Sequence, residues 1–385
     1  MPLKNFKQTV QTLPPNPGAE ILRYGWRKPD IVSLGQGEGC APTPDFINKA
    51  SAQAIEEGKT HYGPVLGQPA LRKEVGQYYK RIFDVDLPSN QVFITASGTT
   101  AMNLALSSIL DEGDEVIAIT PIWKNLLGAV QLTKAKTIQV PLDYEDSMWS
   151  LDMGKLFDAC TSKTKAILVV TPSNPTGWVM SKDEMSQLMD FARERNIWIV
   201  SDEVYSRTLY GQKAAPSFLE IANDDDLLMT INSFSKSWAM TGWRLGWLTG
   251  PAFAEDIIQD VALYYNMCPP TFTQYGGISA LSDGEKFITE QMTGWQKNRD
   301  IVYERLSKNP RVETYKPDST FYSFFKVEGE DDSLEFAKKL VDEGSLSLAP
   351  GCAFGQGVHE WMRLCFAVSE EKLNDALDRL EKVIS

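Results

Sequence analysis

From about residue 70 to 250 the chain alternates short, uninterrupted apolar runs with stretches of helical periodicity. No other feature constrains the fold as much. Residues 91–95 read as a strand and lead into an Ala/Leu-rich helix through Ile109. Residues 115–119, 166–171, 197–200 and 228–231 repeat the strand pattern, with helical segments such as 182–195 between them. A strand wetted on one face alternates apolar and polar residues. These runs do not alternate, so both faces must be covered. The expected architecture is α/β, a mostly parallel sheet covered by helices, with its ligand site at the carboxyl ends of the strands.

After about residue 285 the pattern changes. A helical stretch (285–308), a strand-like run (320–327), a helix (334–343), a second strand-like run (362–368) and a final helix from 370 predict a smaller α+β domain. The expected organisation is an N-terminal arm with part of the small domain at 1–45, a large ligand-binding domain at 46–284 and a small C-terminal domain at 285–385. The first 45 residues are Pro/Gly-rich and poorly periodic, as expected of a segment that wraps the small domain or a partner subunit.

A length of 385 residues suffices for two cores. The net charge of −13 argues against a nucleic-acid or anionic-membrane surface, though it does not fix the charge of a pocket. No apolar run approaches the ~20 residues that span a bilayer, and the N-terminus lacks a basic-then-apolar signal pattern. Five scattered cysteines (40, 160, 268, 352 and 365) do not form a disulfide framework. Two histidines, His61 and His359, are too few for a histidine-built metal site, so no metal is expected. A reducing cytoplasm is the expected setting.

The chemistry concentrates in residues 233–246, where Lys236 lies among hydroxyls and Arg244 follows eight positions later, beside glycines. A lysine amine is nucleophilic only where its charge is disfavoured. Hydroxyls and an arginine beside it form an anion cradle suited to phosphate. An amine next to a phosphate site points to a phosphorylated aldehyde held as a Schiff base, pyridoxal 5'-phosphate (PLP). Other features lie just past the strands. Ser97-Gly98-Thr99 opens a helix whose free N–H groups face an anion. Trp123 offers an indole to a flat ring or to the core. Asn174 sits in a Pro-rich turn. Asp202, between apolar neighbours, either caps a helix or meets a buried cation such as a pyridinium nitrogen.

Together, Asn174-Pro175-Thr176-Gly177, then Ser201-Asp202-Glu203-Val204-Tyr205, then 233–246 resemble the class I/II aminotransferases, PLP enzymes of fold type I related to aspartate and aromatic aminotransferases. The resemblance runs from 34–38 to 363–367. It implies that Lys236 holds PLP as a Schiff base and shuttles the substrate α-proton. It further implies that Asp202 keeps the ring nitrogen protonated, that Tyr205 and Asn174 bond the phenolic oxygen, and that Trp123 stacks on the ring. Gly98, Thr99, Ser233 and Arg244 would hold the phosphate, joined by Tyr62 from a neighbouring subunit. Arg363 would grip the substrate α-carboxylate, and Gly37 would contribute backbone there. An obligate homodimer with shared sites follows.

Thr99 stands where some aspartate-specific relatives carry a lysine, and no second arginine precedes Cys268-Pro269-Pro270. Dicarboxylates are therefore not implied over neutral, aromatic or aliphatic substrates. Lys124, beside Trp123, either meets an acidic group or points to solvent. The activity implied is amino-group transfer from an L-amino acid to a 2-oxo acid by a ping-pong mechanism. A PLP-dependent carbon–sulfur β-lyase would share every cofactor residue. A non-catalytic PLP-binding regulatory domain is a remoter alternative, since such regulators carry a basic DNA-binding module that this sequence lacks.

Overall fold

The computed structural model describes residues 5–385; residues 1–4 of the expected arm lie outside the described residues. Seven strands form the central sheet: β1 (Val92–Thr95), β2 (Glu115–Thr120), β3 (Lys136–Pro141), β4 (Thr164–Val170), β5 (Trp198–Asp202), β6 (Leu228–Ser233) and β7 (Gly246–Thr249). Their spatial order is β1-β7-β6-β5-β4-β2-β3. Neighbouring strands from β6 to β3 are parallel, and β7 alone runs antiparallel, to both β1 and β6.

The burial explains the uninterrupted apolar runs. Val116 and Ala118 of β2 enter one core with Leu168 and Val170 of β4, while Ile117 and Ile119 enter another with Ile167 and Val169. Successive side chains point to opposite faces, and both faces are dry. The helix Lys182–Arg195 shows how local chemistry sets its ends. Ser181 and Glu184 form a reciprocal capping box, and Asn196 closes the other end in the left-handed region at φ 56°.

Two strands of the central sheet were absent from the sequence reading. β3 is a sheet edge with partly wetted residues, so its apolar run is broken. β7 is only four residues long, between Gly246 and Gly250, and gives almost no periodicity. The strand expected at 320–327 begins at Tyr322, because Thr320 takes φ 66°, outside the extended region. The one expected at 362–368 is Trp361–Cys365.

Tyr322–Val327 and Trp361–Cys365 pair antiparallel at the centre of a second, four-stranded sheet. The amino-terminal region joins this part of the molecule. Val32–Ser33 pairs in parallel with Leu346–Ser347, and Ile21 and Leu34 share a core with Phe336 and Leu340. No helix among the described residues is long and apolar enough to cross a membrane.

Candidate active site

The carboxyl ends of β1, β2, β4, β5 and β6 open on one edge of the central sheet. The loops leaving them carry Gly98 and Thr99, Trp123, Asn174, Asp202 and Tyr205, and Ser233 and Lys236 respectively. The antiparallel β7 starts at the same edge, so Arg244, two residues before it, arrives there too. All of these residues, with Gly37 and Arg363, line one cavity of about 280 Å3.

Close packing builds the anion end. Gly246 pairs with both Thr95 and Ser233. A Cβ on Gly246 would lie 2.7 Å from the Gly98 nitrogen, so only glycine lets β7 approach the loop. Gly98 and Thr99 are the first two residues of the helix Gly98–Ile109, where N–H groups have no intrahelical partner. Ser97 caps that helix by accepting from the Thr100 N–H at 3.0 Å. The Ser233 hydroxyl donates to Ser235 Oγ at 2.9 Å, and Ser235 also lines the cavity. Arg244, at φ 54°, donates to the Thr241 carbonyl at 2.7 Å and forms no ion pair with any described residue. Free amides, two hydroxyls and an uncommitted guanidinium match a phosphate dianion.

The same cavity holds two groups of opposite chemistry, one buried and one half-buried. Asp202 is 7% exposed, accepts only the Val204 N–H at 3.2 Å and has no ion-pair partner among the described residues. Burial pushes its carboxyl up to about 6. Lys236 Nζ donates to the Gly37 carbonyl at 2.6 Å, and burial pushes this amine down to about 8. A cationic pyridine nitrogen would satisfy Asp202, and an amine with a depressed pKa is a competent partner for an aldehyde. The donor set therefore fits PLP.

On the substrate side, Arg363 is 5% exposed. Its Nη1 donates to Asn174 Oδ1 and its Nη2 to the Gly35 carbonyl, both at 2.7 Å, while Nε has no partner. No carboxylate of the described chain neutralises it. A buried guanidinium held only by neutral oxygens is a receptor for an anion.

Two residues of this cluster were missed by the sequence reading. Tyr322 bonds Tyr205 hydroxyl to hydroxyl at 2.8 Å, and the Arg363 guanidinium lies 4.3 Å from the centre of its ring. Ser235 is the other. A Cβ on Gly37 would collide with the Tyr322 hydroxyl, so Gly37 carries a steric requirement besides its carbonyl. Ser235 was legible in the hydroxyl cluster; Tyr322 had no signal beyond its place on an apolar strand. Trp123, 36% exposed, lines the cavity. Tyr62 does not: it is 83% exposed and outside the cavity of its own chain.

A PLP enzyme of fold type I is what the sheet and this donor set define. The family described as aminotransferase class I and II matches residues 29–380, and the chain belongs to it. It is 33% identical over 359 residues to an aspartate aminotransferase of Pyrococcus abyssi, covering 92% of each chain. It is 34% identical over 358 residues to aromatic-amino-acid aminotransferase 2 of Thermococcus litoralis, again covering 92% of each. Among solved structures, alanine aminotransferase from Pyrococcus furiosus superposes with a TM-score of 0.92 at 27% identity over 99% of both chains. The chain is a PLP-dependent aminotransferase, and these relatives do not favour the lyase or regulatory alternatives.

Proposed function

We propose that this aminotransferase moves the amino group of an L-amino acid to a 2-oxo acid, with Lys236, Asp202 and Tyr205 as its catalytic residues. PLP, when bound, supplies an aldehyde and an electron-withdrawing ring. Asp202 would hold the ring nitrogen protonated. Tyr205 and Asn174 would bond its phenolic oxygen, with Trp123 at the ring. Gly98, Thr99, Ser233 and Arg244 would hold the phosphate. Arg363 orients the substrate by its α-carboxylate beside the Gly37 backbone, so that Lys236 Nζ can take the proton from the α-carbon and return it elsewhere. The first substrate leaves as its oxo acid before the second enters.

The observation that carries this reading is the complementarity inside one cavity. A buried carboxylate without a cation, a buried guanidinium without an anion and a half-buried amine of lowered pKa converge there. Borohydride treatment of the PLP-loaded protein should fix the cofactor on the peptide containing Lys236. Lys236→Ala should remove both the adduct and turnover, the latter by on the order of 10^6-fold, while leaving the fold intact. An adduct on another lysine would overturn the assignment.

Tyr62 is proposed to act in a homodimer, on the phosphate of the partner's site. Its support is exposure: Tyr62 is a large aromatic that its own chain leaves uncovered, as Phe253, Ile257 and Tyr264 also are. The Thr271 hydroxyl donates to the His61 carbonyl at 2.8 Å, which fastens the backbone beside Tyr62 to the start of the helix Thr271–Asp283. Mixing inactive Lys236→Ala and Tyr62→Ala chains should restore part of the activity once subunits exchange. No recovery after proven exchange would count against a shared site. A cytoplasmic setting is proposed from five unpaired cysteines and the lack of a membrane-spanning helix among the described residues.

A further inference from the structure

Beside the cofactor cavity lies a second one of about 420 Å3, which shares Gly37, Trp123 and Arg363 with it. Arg363 lines both spaces, so a substrate anchored there borders the second as well as the first. In a chain of net charge −13, the lining of this space contains two charged residues, Arg363 and Lys124, both cationic, and no carboxylate.

Lys124 is also in an unusual electrostatic position. It is the first residue of the helix Lys124–Leu132, whose first turn holds no acidic residue. Helix N-termini favour negative charge and disfavour an ammonium. Lys124 Nζ donates to the carbonyls of Pro15 at 2.7 Å and Pro14 at 3.2 Å, and burial lowers its pKa. An ammonium has three donors; two are used here, both on neutral oxygens, and no ion pair to a described carboxylate forms. The amine is held in place, and the helix end and the ammonium together leave local positive charge uncompensated.

We infer that Lys124 is a specificity residue that binds the second carboxylate of a dicarboxylic substrate while Arg363 binds the first. This rests on the transaminase reading and deepens it, naming four- and five-carbon dicarboxylic amino and oxo acids as the substrate class. The role is one of binding, at a position separate from Thr99 and from the segment before Cys268. Lys124 lines the cavity, and the Pro14 and Pro15 carbonyls, outside its lining, restrain the ammonium, so little side-chain freedom is lost when a carboxylate arrives.

The test compares Lys124→Met, Lys124→Arg and the unaltered enzyme with 2-oxoglutarate and pyruvate as acceptors. Glutarate and propionate serve as competing ligands read through the cofactor's absorbance. For Lys124→Met, kcat/KM toward 2-oxoglutarate should fall roughly 30-fold, mostly in KM, and glutarate binding should weaken by a similar factor. Pyruvate turnover and propionate binding should fall no more than about threefold. Lys124→Arg, which keeps the charge, should retain most of the preference. Equal losses for mono- and dicarboxylates would reduce Lys124 to a tether for the Pro14-Pro15 segment and overturn the proposal. So would no loss at all, or an unaltered enzyme that prefers pyruvate. An unaltered enzyme that transaminates no acceptor would instead overturn the reading of the whole site, and this subsite with it.

Discussion

The two walls of the active cavity are built by different strategies. The cofactor wall comes from one sheet: Asp202 ends a strand, Lys236 lies three residues past one, and Asn174 lies four past another. The substrate wall joins segments far apart in sequence, as when Arg363 reaches the Gly35 carbonyl across 328 positions. The first wall is fixed as soon as the parallel strands pair. The second exists only once the amino-terminal segment and the C-terminal sheet have closed over it. The difference predicts that changes in the cofactor wall act on cofactor retention and chemistry, and changes in the substrate wall act on substrate affinity.

After the loss of Lys236 itself, the largest effect is expected at Asp202. Its folded carboxyl, raised by burial to about 6 against an ordinary 3.8, holds its proton more tightly than in the unfolded chain. Stability linked to it is complete below the unfolded value and is lost as pH rises through about 6, a cost of about 3 kcal/mol in cofactor-free protein at pH 8. Asp202→Asn should therefore leave the cofactor-free protein at least as thermostable as the parent at pH 8, with the advantage shrinking at pH 5. The same change removes the partner proposed for the ring nitrogen and should weaken PLP binding by roughly 10^3-fold. Scanning calorimetry and cofactor titration read the two halves. A cofactor-free variant that melts well below the parent at pH 8 would show that the buried charge carries no cost.

Arg363→Ala should act on the other wall. Losing a buried, planar carboxylate receptor should raise KM for every α-carboxylate substrate about 10^2-fold and leave the cofactor's absorption spectrum intact. Arg363→Lys should recover only part of the loss, because an ammonium cannot reproduce the fork that bonds Asn174 and Gly35. A loss confined to kcat, or a cofactor that dissociates, would erase the distinction between the walls.

The same contrast explains what could be read from the sequence. The cofactor wall was legible because each group lies within a few residues of a strand that buries both faces, so motif and fold coincide. Lys236 and Arg244 could be named from local pattern, while Asp202 and Asn174 stood out there and took their roles from the resemblance. β7 was not legible, since its four residues give too short a pattern, although it is the strand that delivers Arg244 and demands Gly246. The resemblance pointed to Arg363 and Gly37, but not to their surroundings. Tyr322 on its apolar strand resembles any core tyrosine. Its partners, Tyr205 and Arg363, lie 117 and 41 positions away, and no periodicity encodes such contacts.

Tyr322 is also where the walls meet, and it offers the finest test of their separation. If Tyr205 donates its proton to the cofactor's phenolic oxygen, then Tyr322 must donate to Tyr205 across their 2.8 Å bond. Removing that donor with Tyr322→Phe weakens Tyr205 as an acid and raises the pKa of the bound cofactor's colour change. The rise should be about 0.7 unit, the equivalent of one hydrogen bond near 1 kcal/mol. Asp202, Arg363 and Cys365 bear on the same pair, Lys236 Nζ lies 6.0 Å from the centre of the Tyr205 ring, and all four are kept in this variant. The phenyl ring remains against the Arg363 guanidinium, so KM should stay within about twofold while kcat falls a fewfold. Tyr322→Leu removes the ring as well and should add a rise in KM. An unchanged colour transition in Tyr322→Phe, or a KM that rises equally in both variants, would show that the tyrosine serves only to pack the two walls together.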